Sequence, residues 1–426
     1  MENVLNTQYE KARRFERKSY SQTIGYSFST IIERERKWIR ANGNSFDISE
    51  NGIGIYTDYP LEPGYMIWFN EGIEEKAGLV KYCIKSDHGY RVGVELDGKY
   101  VDVLDEATEI FNKRLEEIEK RCLTMNEFSA DILNAVEETI SEMRHIYIRF
   151  EEEVKDGDII RDAQIRFREN TNYILSKSYF FNRARTWPQG YQGDYKMLEG
   201  MYRNTPLSEG IGYYLDLAFL RAQLTTAVRN RIEKLRTILR DELLIRDNPV
   251  VLNIACGSCR EVFELSSEIE NSSAKFTCID FDNDALAFAA NRLSYTNISP
   301  LSSNQIVLRK YNALRMFDHE LNMKEFGKQD IIYSVGFFDY LDTEFLTRVL
   351  DALYLLLNSG GILIAAFKDA DRYIGPDYHW IVDWDGFLQR NEKEFRNILT
   401  KAHIPDSAIS EIRDDSDMII FYLIRK

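Results

Sequence analysis

Cysteine is scarce in this chain. Five occur in 426 residues, Cys83, Cys122, Cys256, Cys259 and Cys278, too few and too unevenly spread for a disulfide framework. Long apolar runs are also missing: the one from Ala352 to Phe367 is broken by Asn358-Ser359-Gly360-Gly361, so no membrane span is predicted. The first twenty residues are polar and charged, unlike a secretory leader, and a soluble, reducing, cytoplasmic setting is expected. Positive charge is in deficit as well. The 54 Lys and Arg against 69 Asp and Glu leave a net charge of −15, which argues against a general nucleic-acid binder, since such proteins present a dominant basic surface.

What is present implies more than one domain. A chain of 426 residues exceeds what one core usually supports, and 44% hydrophobic residues suffice to bury several. Residues 1–103 read as a small β domain, with strand-like runs at Ile53–Thr57, Tyr65–Phe69, Gly78–Ile84 and Tyr90–Leu96 between turn signals such as Pro63-Gly64 and Asp87-His88-Gly89. The spacing suits a compact barrel. From Tyr100 to Asp156 there is neither glycine nor proline. Leu104, Ala107, Phe111, Leu115, Ile118 and Cys122 recur at helical spacing, as do Met125, Phe128, Ile132, Val136, Ile140, Met143 and Tyr147. Thr124 followed by Glu127 marks a helix boundary. The two helices are either an internal bundle or a dimerising coil.

Residues 104–210 are expected to hold these helices and an irregular aromatic segment. Residues 211–426 are expected to form a third region, opened by a long helix from Tyr213 to about Leu244. Strands at Val250–Ala255, Lys275–Ile279, Gln305–Lys310, Asp330–Val335 and Ile362–Phe367 then alternate with helices, as in a parallel doubly wound sheet. Ala408–Ile412 and Met418–Ile424, joined by Asp414-Asp415-Ser416-Asp417, predict a terminal antiparallel hairpin.

Two motifs carry chemistry. Near the start, Lys11, Arg13, Arg14, Arg17 and Lys18 form a basic cluster inside an acidic chain, and Asp47-Ile48-Ser49-Glu50-Asn51-Gly52 follows. Arginine recognises phosphate and guanine bidentately and stacks on purines. The RxxxR…DxSxxG pair resembles the PilZ domain family of cyclic di-GMP receptors. The resemblance implies a β-barrel and a ligand site at Arg13, Arg14, Arg17, Asp47, Ser49 and Gly52, with cyclic di-GMP as an allosteric ligand.

Far downstream, Val251-Leu252-Asn253-Ile254-Ala255-Cys256-Gly257 resembles the first loop of a class I S-adenosylmethionine-dependent methyltransferase. The implied cofactor contacts are Asn253, Ala255, Gly257, Asp280, Phe281, Asn312, Ala313, Ser334 and Gly336. The loop departs from the acidic-x-Gly-x-Gly-x-Gly form: Asn253 stands for the acid, Ala255 for the first glycine and Cys259 for the third. A structural turn without ligand is the alternative. Cys256-x-x-Cys259 supplies only two of four zinc ligands, and no metal is expected. Gly190–Tyr195, Ala227–Arg231, Gly336–Leu341, Asp383-Trp384 and Arg390 are similar to a bacterial family described as making 3-hydroxypalmitic acid methyl ester.

The whole is expected to join an all-β PilZ-like barrel, through a helical linker, to a Rossmann-like class I methyltransferase. The methyl acceptor is expected to be a small molecule such as a fatty-acid carboxylate. A carboxylate needs no strong base, whereas a hydroxyl or amine does. Tyr191, Asp194, Tyr195, Asp339, Tyr340 and His379 are the polar candidates, with Tyr195, Asp339 and His379 taken as catalytic; each also has an ordinary structural reading, as a packed ring, a turn cap or a surface histidine. Arg229 and Arg231 are candidates to pair a carboxylate. The rival reading is a cyclic di-GMP-binding scaffold with a non-catalytic methyltransferase-like half.

Overall fold

The first sheet is built from β1 (Lys18–Ser19), β2 (Thr23–Ile32), β3 (Glu35–Ser49), β4 (Gly52–Thr57), β5 (Met66–Glu71), β6 (Ala77–Ser86) and β7 (Gly89–Glu95). The computed structural model describes residues 17–32, 35–49, 52–63, 65–73, 77–87, 89–96, 100–124, 127–155, 157–301 and 303–426. Arg13 and Arg14 lie outside the described residues. The chain divides into two compact units. One runs to Lys177 and takes in Glu209–Leu215; the other comprises Ser178–Ser208 and Asp216–Lys426.

In the first unit β2, β3, β4, β7, β6 and β5 pair antiparallel in that order, and β5 returns to β2, so six strands close into a barrel. Alternate residues point inward, as the two-residue period of a strand requires. Ile24, Tyr26 and Phe28 on β2 meet Ile53, Ile55, Val92 and Val94 in one core. Four strands fall where the sequence predicts them, but β2 and β3 do not appear in that reading. β3 is charged and contains Asn42-Gly43-Asn44, which looks like a turn. In the fold Gly43 lies mid-strand, where a Cβ would stand 2.9 Å from the Tyr56 carbonyl oxygen.

Helices Tyr100–Cys122, Ala130–Val154 and Gly157–Leu175 belong to the same unit and pack together. Their apolar faces are covered within the chain, with the Phe111 and Tyr147 rings 5.9 and 6.2 Å from Phe167. The second helix is capped by Ser129, whose side chain accepts from the Ile132 N–H. Thr124 instead donates to the Arg121 carbonyl, because the chain still has several residues to run before the helix starts.

The second unit holds β8 (Val250–Ile254), β9 (Lys275–Asp280), β10 (Ile306–Lys310), β11 (Gln329–Val335), β12 (Leu357–Lys368), β13 (Ile409–Arg413) and β14 (Ile419–Arg425) in the order β10-β9-β8-β11-β12-β14-β13. The first five are parallel, and β14 runs antiparallel to both neighbours. Apolar residues on both faces of the strands feed two cores: Val251, Ile331 and Tyr333 point to one, Leu252, Ile254 and Ile332 to the other. The predicted hairpin is present, and Asp414 holds its turn by accepting from the Ser416 and Ile419 N–H groups at 3.0 and 2.8 Å.

Two expectations change here. The long helix is two helices, Ile211–Arg221 and Gln223–Leu244, interrupted by Ala222 in an extended conformation. The aromatic segment is not irregular. It carries helices Tyr179–Thr186 and Tyr195–Arg203, capped by Ser178 and Asp194. Among the described residues no helix is long and apolar enough to cross a membrane.

Candidate functional site

Parallel strands bring their carboxyl ends to one edge of the second sheet, where a ligand can approach the backbone. β8 ends there in a loop whose backbone alternates into the left-handed region at Ala255, Gly257 and Cys259, with φ of 55°, 52° and 48°. Glycine alone adopts that conformation cheaply. The chain therefore keeps the path of a glycine loop while placing Ala and Cys at two of its three left-handed positions. The start of the loop is fixed by two bonds: Cys256 N–H donates to the Ile279 carbonyl at 3.0 Å, and Ser334 Oγ donates to the Ile254 carbonyl at 2.9 Å.

Asp280 closes the next strand. Its carboxylate accepts from the Gly257 N–H at 2.8 Å and from the Asp282 N–H at 2.9 Å. Burial pushes the carboxyl above its ordinary range, and these backbone donors oppose the shift. Gly257 is open on its missing side chain's side: a Cβ there would find only Tyr195 Cβ, at 3.8 Å. Phe281 is exposed, with its ring 5.1 Å from that of Tyr191, whose hydroxyl donates to Asp282 at 2.8 Å. Asn312 caps the short turn Ala313–Phe317, accepting from the Leu314 N–H at 3.0 Å, and Ala313 is buried.

Asn253 lies beneath the loop. It is buried and donates to Glu261 Oε1 at 2.8 Å, where the Tyr333 hydroxyl also donates at 2.8 Å. Burial raises the Glu261 carboxyl. Three buried thiols, Cys256, Cys259 and Cys278, are unbridged, and no metal-binding cluster occurs among the described residues.

A second polar assembly, which sequence reasoning missed, ties helix Tyr195–Arg203 to the loop. Buried Glu199 accepts from Ser258 Oγ at 2.7 Å and pairs with Arg292, and Arg260 reaches it at 3.4 Å. Hydrogen bonds outweigh burial and hold the Glu199 carboxyl below its ordinary range. Asp194, at the head of the helix, accepts from Lys196 and Met197 and pairs with Arg183 at 2.8 Å, so it is the cap that its structural reading anticipates.

Beyond β11 and β12 lies a cationic cluster. Gly336, at φ 101°, stands where a Cβ would be 3.2 Å from Arg231 Nη1. Lys368 ends β12 and donates to buried Asp339 at 3.2 Å, with its Nζ 4.2 Å from the centre of the Phe387 ring. Burial pushes the Lys368 ammonium down to about 8 and the Asp339 carboxyl up, and their mutual attraction opposes both shifts. His379 has different surroundings: Nδ1 lies 3.0 Å from Asp385 and Nε2 3.3 Å from Gln389. The three residues expected to be catalytic thus stand in three settings, with Tyr195 beside the loop that follows β8. Lys368 is absent from the sequence-based candidates, although a lysine closing the apolar run Ile362–Phe367 is a legible signal.

In the barrel, Arg17 pairs with Asp47. A Cβ on Gly52 would lie 2.9 Å from Arg17 Nη2 and 3.6 Å from Ser49 Oγ. Four residues of the N-terminal motif therefore converge.

No protein-family model matches the chain, and no curated relative matches it. The strand order and antiparallel end of the second sheet decide its class. The fold is methyltransferase-like. Among solved structures, a possible exported protein from Bordetella parapertussis is similar at 15% identity and a TM-score of 0.46, over 74% of this chain and 95% of that one. Magnesium protoporphyrin IX methyltransferase from Synechocystis with bound SAH gives 14% identity and 0.35, over 48% and 86%. An O-methyltransferase family protein from Burkholderia thailandensis gives 14% and 0.36, over 48% and 60%.

Two outcomes follow from this geometry. Ala255→Gly should raise stability by about 1 kcal/mol, the scale of left-handed strain on a residue with a Cβ; a lower urea midpoint would show that the strain is absent. The Lys368 ammonium, followed by lysine 15N NMR, should lose its proton near pH 8. A folded-state pKa below the unfolded value means that Lys368 costs stability in full below about 8, and the cost fades as pH rises from there to the ordinary lysine value of 10.5. Titration with the bulk of the lysines would contradict it.

Proposed function

We propose that the chain is an S-adenosylmethionine-dependent methyltransferase controlled by cyclic di-GMP, acting on a small molecule such as a fatty-acid carboxylate. The observation that carries the enzymatic part is the open Gly257 beside the Asp280 carboxylate at the ends of adjacent parallel strands. These residues fit the cofactor. With the Gly257 and Asp282 N–H groups bonded and the Phe281 N–H as a further backbone donor, the Asp280 carboxylate still has acceptor capacity for a ribose hydroxyl. Exposed Phe281 offers a ring to adenine. Gly257, without a Cβ, leaves room along the main chain.

The cofactor supplies an electrophilic methyl group on a sulfonium. Methyl transfer from it would be an in-line displacement, for which alignment of acceptor, methyl and sulfur would supply much of the acceleration. The chain's contribution is alignment and exclusion of water. Tyr195, packed near Gly257, and Glu199, which holds its helix to the loop, serve that alignment. The convergence of Arg17, Asp47, Ser49 and Gly52 supports the sensor reading, since a guanidinium held by one carboxylate keeps further donors for a phosphate or a guanine edge. The scaffold alternative draws on Asn253, which is neutral and engaged by Glu261.

Calorimetry with S-adenosylmethionine separates the two readings; no binding at millimolar cofactor favours the scaffold. Asp280→Ala should weaken the cofactor by about 1.5–3 kcal/mol, the range for a lost charge-assisted hydrogen bond. For cyclic di-GMP to regulate, its binding must favour one arrangement, and the same free energy must reappear in cofactor or acceptor affinity, typically about 1–3 kcal/mol. Arg17→Ala or Asp47→Ala should remove that shift and spare basal methylation. Identical affinities and turnover with and without bound messenger would sink the regulatory part.

A further inference from the structure

Around Asp339 the second unit buries more positive charge than it neutralises. Arg231, Lys368 and Arg390 are 5%, 8% and 7% exposed, and all three interact electrostatically with Asp339, which is 3% exposed. Arg390 is also attracted to Asp342 and Glu394, which are exposed and cap helices, and its Nη2 donates to the Leu341 carbonyl, so it is among the buried groups alone that three cations meet one carboxylate. Asp369 is occupied by Arg413 at 2.9 Å. Buried cations are costly unless paired, and buried donors unless bonded.

Several donors here have no acceptor: Arg231 Nε, Arg390 Nη1, Trp384 Nε1 and the Tyr373 hydroxyl. They belong to one packed assembly. Trp384 lies against Tyr378, at 5.5 Å between rings, and Tyr378 stacks on Phe387 at 4.4 Å and meets Tyr373 at 5.7 Å. Phe387 carries the Lys368 ammonium over its face. Surplus positive charge, unpartnered donors and an aromatic surround at the carboxyl ends of β11 and β12 are the features of a site built for an oxyanion with an apolar tail.

We infer that Arg231, Lys368 and Arg390 form the anchor that holds the carboxylate of an organic-acid methyl acceptor, with Tyr373, Tyr378, Trp384 and Phe387 bounding the carbon next to it. Asp339 keeps Lys368 protonated and oriented, and is a positioning residue. The assignment of this anion as the acceptor rests on the methyl-transfer reading; the anion site itself does not.

The test is calorimetry on the full chain with octanoate and its neutral analogue octanamide, with S-adenosylhomocysteine saturating. Octanoate should bind roughly tenfold or more tightly than octanamide, as removal of a charge that meets buried cations requires. Lys368→Met should abolish the preference with S-adenosylhomocysteine affinity unchanged, and Lys368→Arg should retain it. If Lys368→Met does not fold, the comparison of the two probes on the parent chain decides alone. Equal affinities, or no octanoate binding at about 10 mM, where even millimolar dissociation constants register, overturn the proposal. So does competition between octanoate and S-adenosylhomocysteine, which would assign the cluster to the cofactor's own carboxylate. Failure of S-adenosylhomocysteine to bind, with the octanoate preference intact, defeats methyl transfer and leaves the anion site standing.

Discussion

The Asp280 carboxylate is the constraint on which the edge of the second sheet depends. It ends one strand and takes an N–H from the loop that follows the neighbouring strand, so the two strand ends and the loop are held as one piece. Losing one acceptor there would leave buried backbone donors unpaired, a cost of about 1–3 kcal/mol each. The loop tolerates Ala255 and Cys259 in left-handed conformation because this bond and that of Ser334 to the Ile254 carbonyl over-determine its path.

Two other buried carboxylates of the unit follow one design. Glu199 and Glu261 each join elements distant in sequence: the first links a helix to the loop, the second links β8 and β11 through Asn253 and Tyr333. Both are satisfied by several donors, which is what makes a buried carboxylate tolerable. The cluster around Asp339 breaks that rule, with three cations gathered on one carboxylate. A local excess of buried cations over buried carboxylates is characteristic of functional surfaces.

Much of the architecture was legible in the sequence because apolar runs of five to seven residues separated by helical periods leave few alternatives for a parallel sheet. The strands of the second sheet lie at their expected places, except that β12 starts earlier, at Leu357 rather than Ile362. The misses share a cause. β3 is polar and carries an Asn-Gly-Asn that signals a turn, yet cross-strand pairing on two sides keeps it extended. The cap at Ser129 and the break at Ala222 are set by where helices must end to pack, which local propensity does not encode. The roles of Asn253 and Glu199 depend on partners many residues away, Asn253 on Glu261 and Glu199 on Ser258 and Arg292, and no spacing rule reveals them.

The two sheets differ in how they end. Because β5 returns to β2, the barrel ring presents no unpaired rim, whereas the second sheet has outer strands β10 and β13. Both are only five residues long. β10 carries Arg309 and Lys310, and β13 carries Glu411 and Arg413. Short, charged margins discourage another chain from adding a strand. The parallel unit, which must bring distant segments together before it is complete, is thus guarded against self-association at the margins where it is most open to it.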